Sequence, residues 1–215
     1  MSSKITNFIL PGVVLLVVLA GAITYPILPD QVASHWNAAG EADGYMDKFW
    51  GIFLLPLVMA GMYLFYFIIP KIDPLKKNIE SFRPTYNTFW LWMFVFLLYI
   101  FGLSMVWNFG YRFNFTMAIV PAIAAFLYII GVVLEKSKRN WFVGIRTPWT
   151  LSNDVVWDKT HKLGGRLFKV AAVISLLGLF LRGELPVLAV LAAPVAIVAV
   201  VTIVYSYVEF RKNSD

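Results

Sequence analysis

An all-α polytopic membrane protein with six transmembrane helices is the fold class this sequence predicts, and three observations predict it. Apolar residues make up 60% of the 215-residue chain and charged residues 14%, well away from the roughly one half and one quarter usual in soluble domains. Six apolar runs come close to or reach the ~17–25 residues that a helix needs to cross a ~30 Å hydrocarbon core. None alternates in the period-two manner of a barrel strand, and residues 13–20 are apolar throughout. Lipid offers no partner to an unpaired backbone N–H or C=O, so each run is expected to be helical.

The first run covers residues 8–28. Lys4 precedes it and Ala20, Gly21 and Ala22 resemble a cleavage box, but the apolar stretch continues to Leu28, which suits an uncleaved anchor. A long loop follows to Phe49, and the second run is 50–70. Runs three (89–108) and four (115–134) are joined by a short connection, which predicts an antiparallel hairpin, as do runs five (163–181) and six (185–208). Pro11, Pro56, Pro121 and Pro194 fall inside these spans as candidate kinks. The fifth run is the weakest. It must start near Leu163 and take in Gly164, Gly165, Arg166 and Lys169, with both basic side chains snorkelling to the cytoplasmic phosphates. The division expected is a two-span region, 1–86, and a four-span region, 87–215.

Orientation follows from where lysine and arginine fall. Lys4, Lys71, Lys76, Lys77, Arg83, Lys136, Lys138, Arg139, Arg146, Lys159, Lys162, Arg166, Lys169, Arg211 and Lys212 lie on one side, against Lys48, Arg112 and Arg182 on the other. Fifteen of eighteen basic residues on one face put both termini in the cytoplasm of a multi-pass plasma-membrane protein. The net charge of +6 is thus a topology signal, and direct nucleic-acid binding is not expected. Absence of cysteine excludes disulfides, thiolate zinc sites and a thiol nucleophile. The span centres carry no ionisable residue, which counts against a proton-coupled transporter. A channel or small-molecule transporter would have to line its path with Asn87, Ser104, Asn108, Thr116, Ser175, Thr202 and Ser206.

Two loops are long enough to act outside the bilayer. The outer one, 29–49, holds Asp30, His35, Glu41, Asp43 and Asp47 against Lys48. Its Gly40 and Gly44 suit turns with positive φ, and Trp36, Tyr45, Phe49 and Trp50 suit the headgroup belt, so a compact cap on the membrane is expected. Three uses stay open: a solvated acidic cap, recognition of a cationic ligand by Coulomb steering, or a metal site. The last lacks zinc spacing and the tight alternation of calcium loops.

The inner loop, 135–166, carries Trp141, Trp149 and Trp157. Thr147 before Pro148 predicts irregular backbone over 144–149, and Ser152 or Asn153 can cap a short interfacial helix running to about Lys162. Gly164 and Gly165 would then turn the chain into span five. This segment reads as a lipid-anchored elbow, as a cytoplasmic docking surface built on Gly144, Arg146, Thr147, Trp157 and His161, or as a membrane-embedded enzyme site with His161 and Asp158 as base and partner. No nucleophile elbow or glycine-rich phosphate loop accompanies it, so no catalytic residue is assigned.

Together the two loops resemble the SdpI family of bacterial and archaeal membrane immunity proteins. The outer stretch LPDQVASHWNAAGEADGY, through Pro29, His35, Trp36, Asn37, Gly40 and Gly44, is similar to the domain of unknown function that commonly precedes the SdpI-type region, and Asp30 and Asp43 join these as candidate site residues of the loop. The inner stretch NWFVGIRTPWTLSNDVVWDKTHKLGG, through Asn140, Gly144, Arg146, Thr147, Pro148, Trp149, Trp157 and His161, resembles that region itself. The resemblance implies a non-enzymatic protein, without cofactor or metal, that protects its cell from a secreted membrane-active peptide toxin. It further implies signalling, by holding a cytosolic transcriptional repressor at the membrane.

Overall fold

The computed structural model describes residues 2–181 and 183–213. Arg182, counted above with the outer face, lies outside the described residues. Helix α1 (Ser3–Thr24) starts where the Ser2 hydroxyl accepts the Ile5 N–H and stops at Tyr25, the residue before Pro26. It is therefore displaced about one turn toward the amino terminus from the expected 8–28. Helix α2 (Lys48–Ile72) is capped by the Asp47 carboxylate, which accepts the Phe49 N–H. A short α3 (Lys76–Ser81) leads into α4 (Arg83–Asn108), and Asn114 caps α5 (Phe115–Lys136). The inner loop contains α6 (Pro148–Ser152) and runs into α7 (Asp154–Ser175), which tightens to a 3₁₀ turn over Leu176–Leu179, and α8 (Glu184–Lys212) closes the chain. The helices continue through Pro11, Pro56, Pro121 and Pro194.

Helices α1, α2, α4, α5 and α8 are long and apolar enough to cross a membrane. Their outward faces display Phe8, Leu16, Phe65, Val200 and Val204, side chains that a bilayer would solvate. One core unites α1, α2 and α4 through Leu10, Val17, Ile52, Met59, Tyr66, Tyr86 and Phe94, all fully buried. The other half packs α7 between α5 and α8, and α4 touches both halves.

Three local expectations are corrected. The outer loop is not a set of turns: it folds as an antiparallel hairpin, β1 (Gln31–Trp36) and β2 (Ala42–Asp47), with Val32 opposite Met46 and Ala33 opposite Tyr45. Nor is there a separate interfacial helix ending near Lys162. Asn153 does cap α7, accepting from Val155 and Val156, but the helix runs unbroken through Gly164 and Gly165. Gly164 makes room for Ile145, and Gly165 lets α7 press on α5: a Cβ on Gly165 would lie 2.7 Å from the carbonyl oxygen of Gly131, and one on Gly131 would lie 2.6 Å from that of Gly165. Backbone meets backbone there, and only hydrogen fits. The expected irregular stretch is also shorter, since α6 begins at Pro148.

Helix α7 is less apolar than the other five, but it retraces α5. Trp157 Nε1 donates to the Ser137 carbonyl at one end, and Gly178 sits against Val120 at the other. Gly178 also faces Val190, and Lys159 pairs with Glu209, so α8 returns antiparallel along α7. Lys169 does not snorkel as expected. Its ammonium sits 2.6 Å from Glu135 on α5, each side chain about three-quarters buried, because pairing satisfies both charges without a reach to the headgroups.

Candidate functional site

The inner segment is held by its own polar side chains. Asn140, fully buried, accepts the N–H groups of Phe142 (2.9 Å) and Val143 (2.6 Å) and donates to the carbonyls of Lys138 and Val143 (both 2.8 Å). All the capacity of its amide is thereby used to close one tight turn. The turn is pinned to the first half of the protein: Trp141 N–H donates to Asp73 (2.9 Å) and Asn78 donates to the Arg139 carbonyl (2.8 Å). Thr147 caps α6 in a reciprocal box with Thr150 and lies 3.0 Å from Ser206 on α8, while Pro148 takes the first helical position.

Beneath this turn, Trp157 and His161 stack with centroids 3.8 Å apart and planes 16° apart, both inaccessible to solvent. Gly144, at φ +131°, lies over the pair; a Cβ there would come 3.0 Å from the Trp157 ring and closer still to His161 Nε2. Because the Ile145 N–H can only donate, His161 Nε2 is its acceptor (2.9 Å), which leaves Nδ1–H to donate to the Trp157 carbonyl (2.8 Å). Burial lowers the imidazole pKa to about 4, against the raising effects of that carbonyl and of Asp158. Asp158 itself turns to Lys138 (3.5 Å). A neutral ring with both nitrogens engaged is a structural strut, and the base-and-partner arrangement is not assembled.

Of the inner motif, Asn140, Thr147, Trp157 and His161 are therefore buried and Gly144 is packed beneath the turn, so no partner meets these side chains while the turn stays folded. Arg146, Pro148 and Trp141 face outward, Arg146 donating to the Trp141 carbonyl (2.7 Å), and Trp149 is half-buried against Tyr207. Asp73, Asn78 and Ser137 complete the site and escaped the sequence reading. The one signal for them is polar residues beside spans, a pattern shared with ordinary loops.

The outer motif is equally built in. Asn37 closes the hairpin by accepting the Glu41 N–H (3.0 Å), and Gly40 turns at φ +82°. The hairpin then docks on the α4–α5 turn: Phe115 N–H donates to Gly40, Thr116 to the Asn37 carbonyl and Asn114 to the Ala39 carbonyl. Trp36 stacks on Phe115 at 3.9 Å and meets Trp107 edge-on. Asp30 pairs with Lys48 and His35 with Asp43, and Gly44 lies where a Cβ would approach that of His35 at 2.9 Å. Among the described residues no three His, Asp or Glu groups converge to hold a metal. Asn108 brackets Ala33, accepting its N–H (2.8 Å) and donating to its carbonyl (3.0 Å). Asn108→Ala is expected to loosen the hairpin by about 1–2 kcal/mol, read as roughly tenfold or faster amide exchange at Ala33; unchanged exchange would show that the bracket is dispensable.

A cavity of about 420 Å³ separates the halves near the inner loop, lined by Met62, Phe65, Trp90, Ile130, Phe142 and Phe168 among others, and it is apolar. The groups a transport path would have needed are each hydrogen-bonded within the chain: Asn87 to Tyr66, Ser104 to Asn108, Asn108 to Ala33, Thr116 to Asn37, Ser175 to Ala171, Thr202 to Val198 and Ser206 to Ile203. A second cavity, about 490 Å³, opens between β2 and the α4–α5 turn, lined in part by Glu41, Tyr45, Trp107 and Arg112.

Comparison with known proteins bears on both motifs. Residues 136–206, from the end of α5 into α8, match the SdpI/YfhL protein family, and residues 12–60, from α1 into α2, match a domain of unknown function, DUF1648. Over 207 residues, 96% of each chain, the sequence is 28% identical to a Bacillus subtilis (strain 168) protein named Immunity protein SdpI. No solved structure matches the chain.

Proposed function

We propose that the chain is a member of the SdpI family and, on that premise, an integral membrane immunity protein giving resistance to a secreted, membrane-active peptide toxin. The carrying observation is the end-to-end similarity to an immunity protein, with one matched segment around each loop. In this reading α7 from about Leu163 onward, with its 3₁₀ turn, makes the sixth crossing of the plasma membrane, both termini are cytoplasmic and the hairpin faces outward. The retracing of α5 by α7 and the basic inner face support that orientation. The acidic hairpin suits first contact with a cationic toxin. The strip of exposed Trp141, Arg146 and Pro148 with half-buried Trp149 is the docking surface for a cytosolic repressor, braced from below by Asn140, Gly144, Thr147, Trp157 and His161.

The test is expression in a toxin-sensitive host challenged with the sporulation-delay killing peptide, with a fluorescent fusion of that system's repressor in the same cells. Wild type should raise survival at least tenfold and draw the repressor to the membrane. Arg146→Ala should protect equally but lose most of the recruitment. Absence of protection by well-expressed wild type removes the assignment for that peptide, and full recruitment by the variant removes the docking strip.

A further inference from the structure

We propose that the open edge of β2 is a docking strand, on which an extended cationic segment of the secreted peptide adds as a third strand. This rests on the immunity reading and on the hairpin facing outward. A two-stranded sheet has two free edges, and here the protein closes only one. Ala33 on β1 sends its N–H and its carbonyl to the side chain of Asn108, away from β2. Ala33 stands opposite Tyr45. In an antiparallel ladder, a residue whose backbone groups point away from its partner strand faces one that also points away. Tyr45 therefore presents its N–H and carbonyl on the far side of β2, and among the described residues no backbone hydrogen bond from outside the hairpin engages either. Asp47 shares that outward phase, because the register runs unbroken from Gln31 opposite Asp47 to Ala33 opposite Tyr45, and it ends the edge by capping α2; beyond Ala33, toward Asp43, the register shifts.

Natural sheets usually blunt such an edge with lysine, proline or a covering element. This one bears carboxylates: Glu41, Asp43 and Asp47 are all exposed, and neither Glu41 nor Asp47 has an ion-pair partner among the described residues. A second copy of the chain pairing along β2 would bring like charges face to face, which is destabilising. A cationic strand gains on the same feature and is steered toward it. Beside the edge, the cavity of about 490 Å³ between Tyr45, Glu41 and Trp107 offers room for one side chain of the added strand. Main-chain bonds then supply affinity and the cavity supplies selectivity, the usual division of labour in strand addition.

Tyr45→Pro discriminates. It removes the outward N–H and sets a ring in the pairing path, while the inward bonds of Met46 and Gly44 to β1 are left in place. Tyr45→Phe keeps the backbone intact. In the host challenged with the sporulation-delay killing peptide, wild type and Tyr45→Phe should protect, and Tyr45→Pro, at equal membrane level, should lose at least tenfold. Purified wild type should also show at least tenfold slower amide exchange at Tyr45 when that peptide is added, with exchange at Ala33 unchanged. Equal protection by Tyr45→Pro, or unaltered exchange at Tyr45, overturns the docking strand and leaves immunity standing. Failure of wild type itself to protect overturns the immunity reading, and the docking strand for this peptide falls with it.

Discussion

Replacing Gly165 with alanine is expected to destabilise the protein by about 1–3 kcal/mol, the usual cost of forcing a methyl into a filled contact. The atoms in its way are the carbonyl oxygen of Gly131, 2.7 Å from the new Cβ, and the Glu135 side chain, closer still. A side chain can rotate aside; a helical carbonyl cannot. Helices α5 and α7 must therefore separate, and with them the pair of Lys169 and Glu135 and the bond from Trp157 to Ser137. In detergent the thermal midpoint should fall by about 2–4 °C for each kcal/mol. Gly61→Ala on α2 is the control, because nothing lies within 4 Å of the point its Cβ would occupy. That substitution should be neutral or stabilising by up to ~1 kcal/mol through helix propensity. Equal effects from the two would mean that the glycines of α7 serve no contact.

Acidification should weaken the inner segment through His161. Its pKa is lowered by burial to about 4, below the unfolded value of 6.5, so the unfolded chain binds the extra proton first. The neutral ring's contribution is complete above pH 6.5 and is lost as pH falls toward 4, a change of about 3 kcal/mol. Protonation would also set an N–H of Nε2 against the N–H of Ile145 and break that bond. His161→Gln should remove this slope: plotted against pH, the stability difference between wild type and variant changes between pH 6.5 and 4 and is flat above. A parallel pair of curves across that window would show that His161 does not titrate on unfolding. Neutral pH lies on the stable side of the window, so the strut is intact there.

The spans were legible because burial in lipid is a property of composition and run length, which any window of the sequence exposes. α2, α4, α5 and α8 lie within a few residues of their apolar runs, the departures being caps and polar turns such as Arg83 to Thr88 that continue a helix beyond the hydrocarbon. The hairpin was not legible. Its β1 edge is completed by Asn108, 75 residues away, and its turn by Asn114 and Thr116. Paired glycines in α7 read locally as a break, since each costs ~1 kcal/mol in a helix. The contact that repays it lies on another helix. The motif residues were found by type and spacing, but their exposure was misread: on paper Trp157 suits a headgroup belt and His161 a docking surface equally well.

By itself the sequence determined the solvent, the spans, the charge asymmetry and the two segments that carry the family resemblance, because each of these is a sum over neighbouring residues. Only the tertiary structure decided which polar side chains are struts and which remain free to meet a partner. His161 is sealed by Gly144 and Trp157, Ala33 is bracketed by Asn108, and Arg146 and the edge of β2 are left uncovered. Those outcomes depend on contacts between residues far apart in the chain, where a missing Cβ or one amide makes the difference, and no local pattern encodes them.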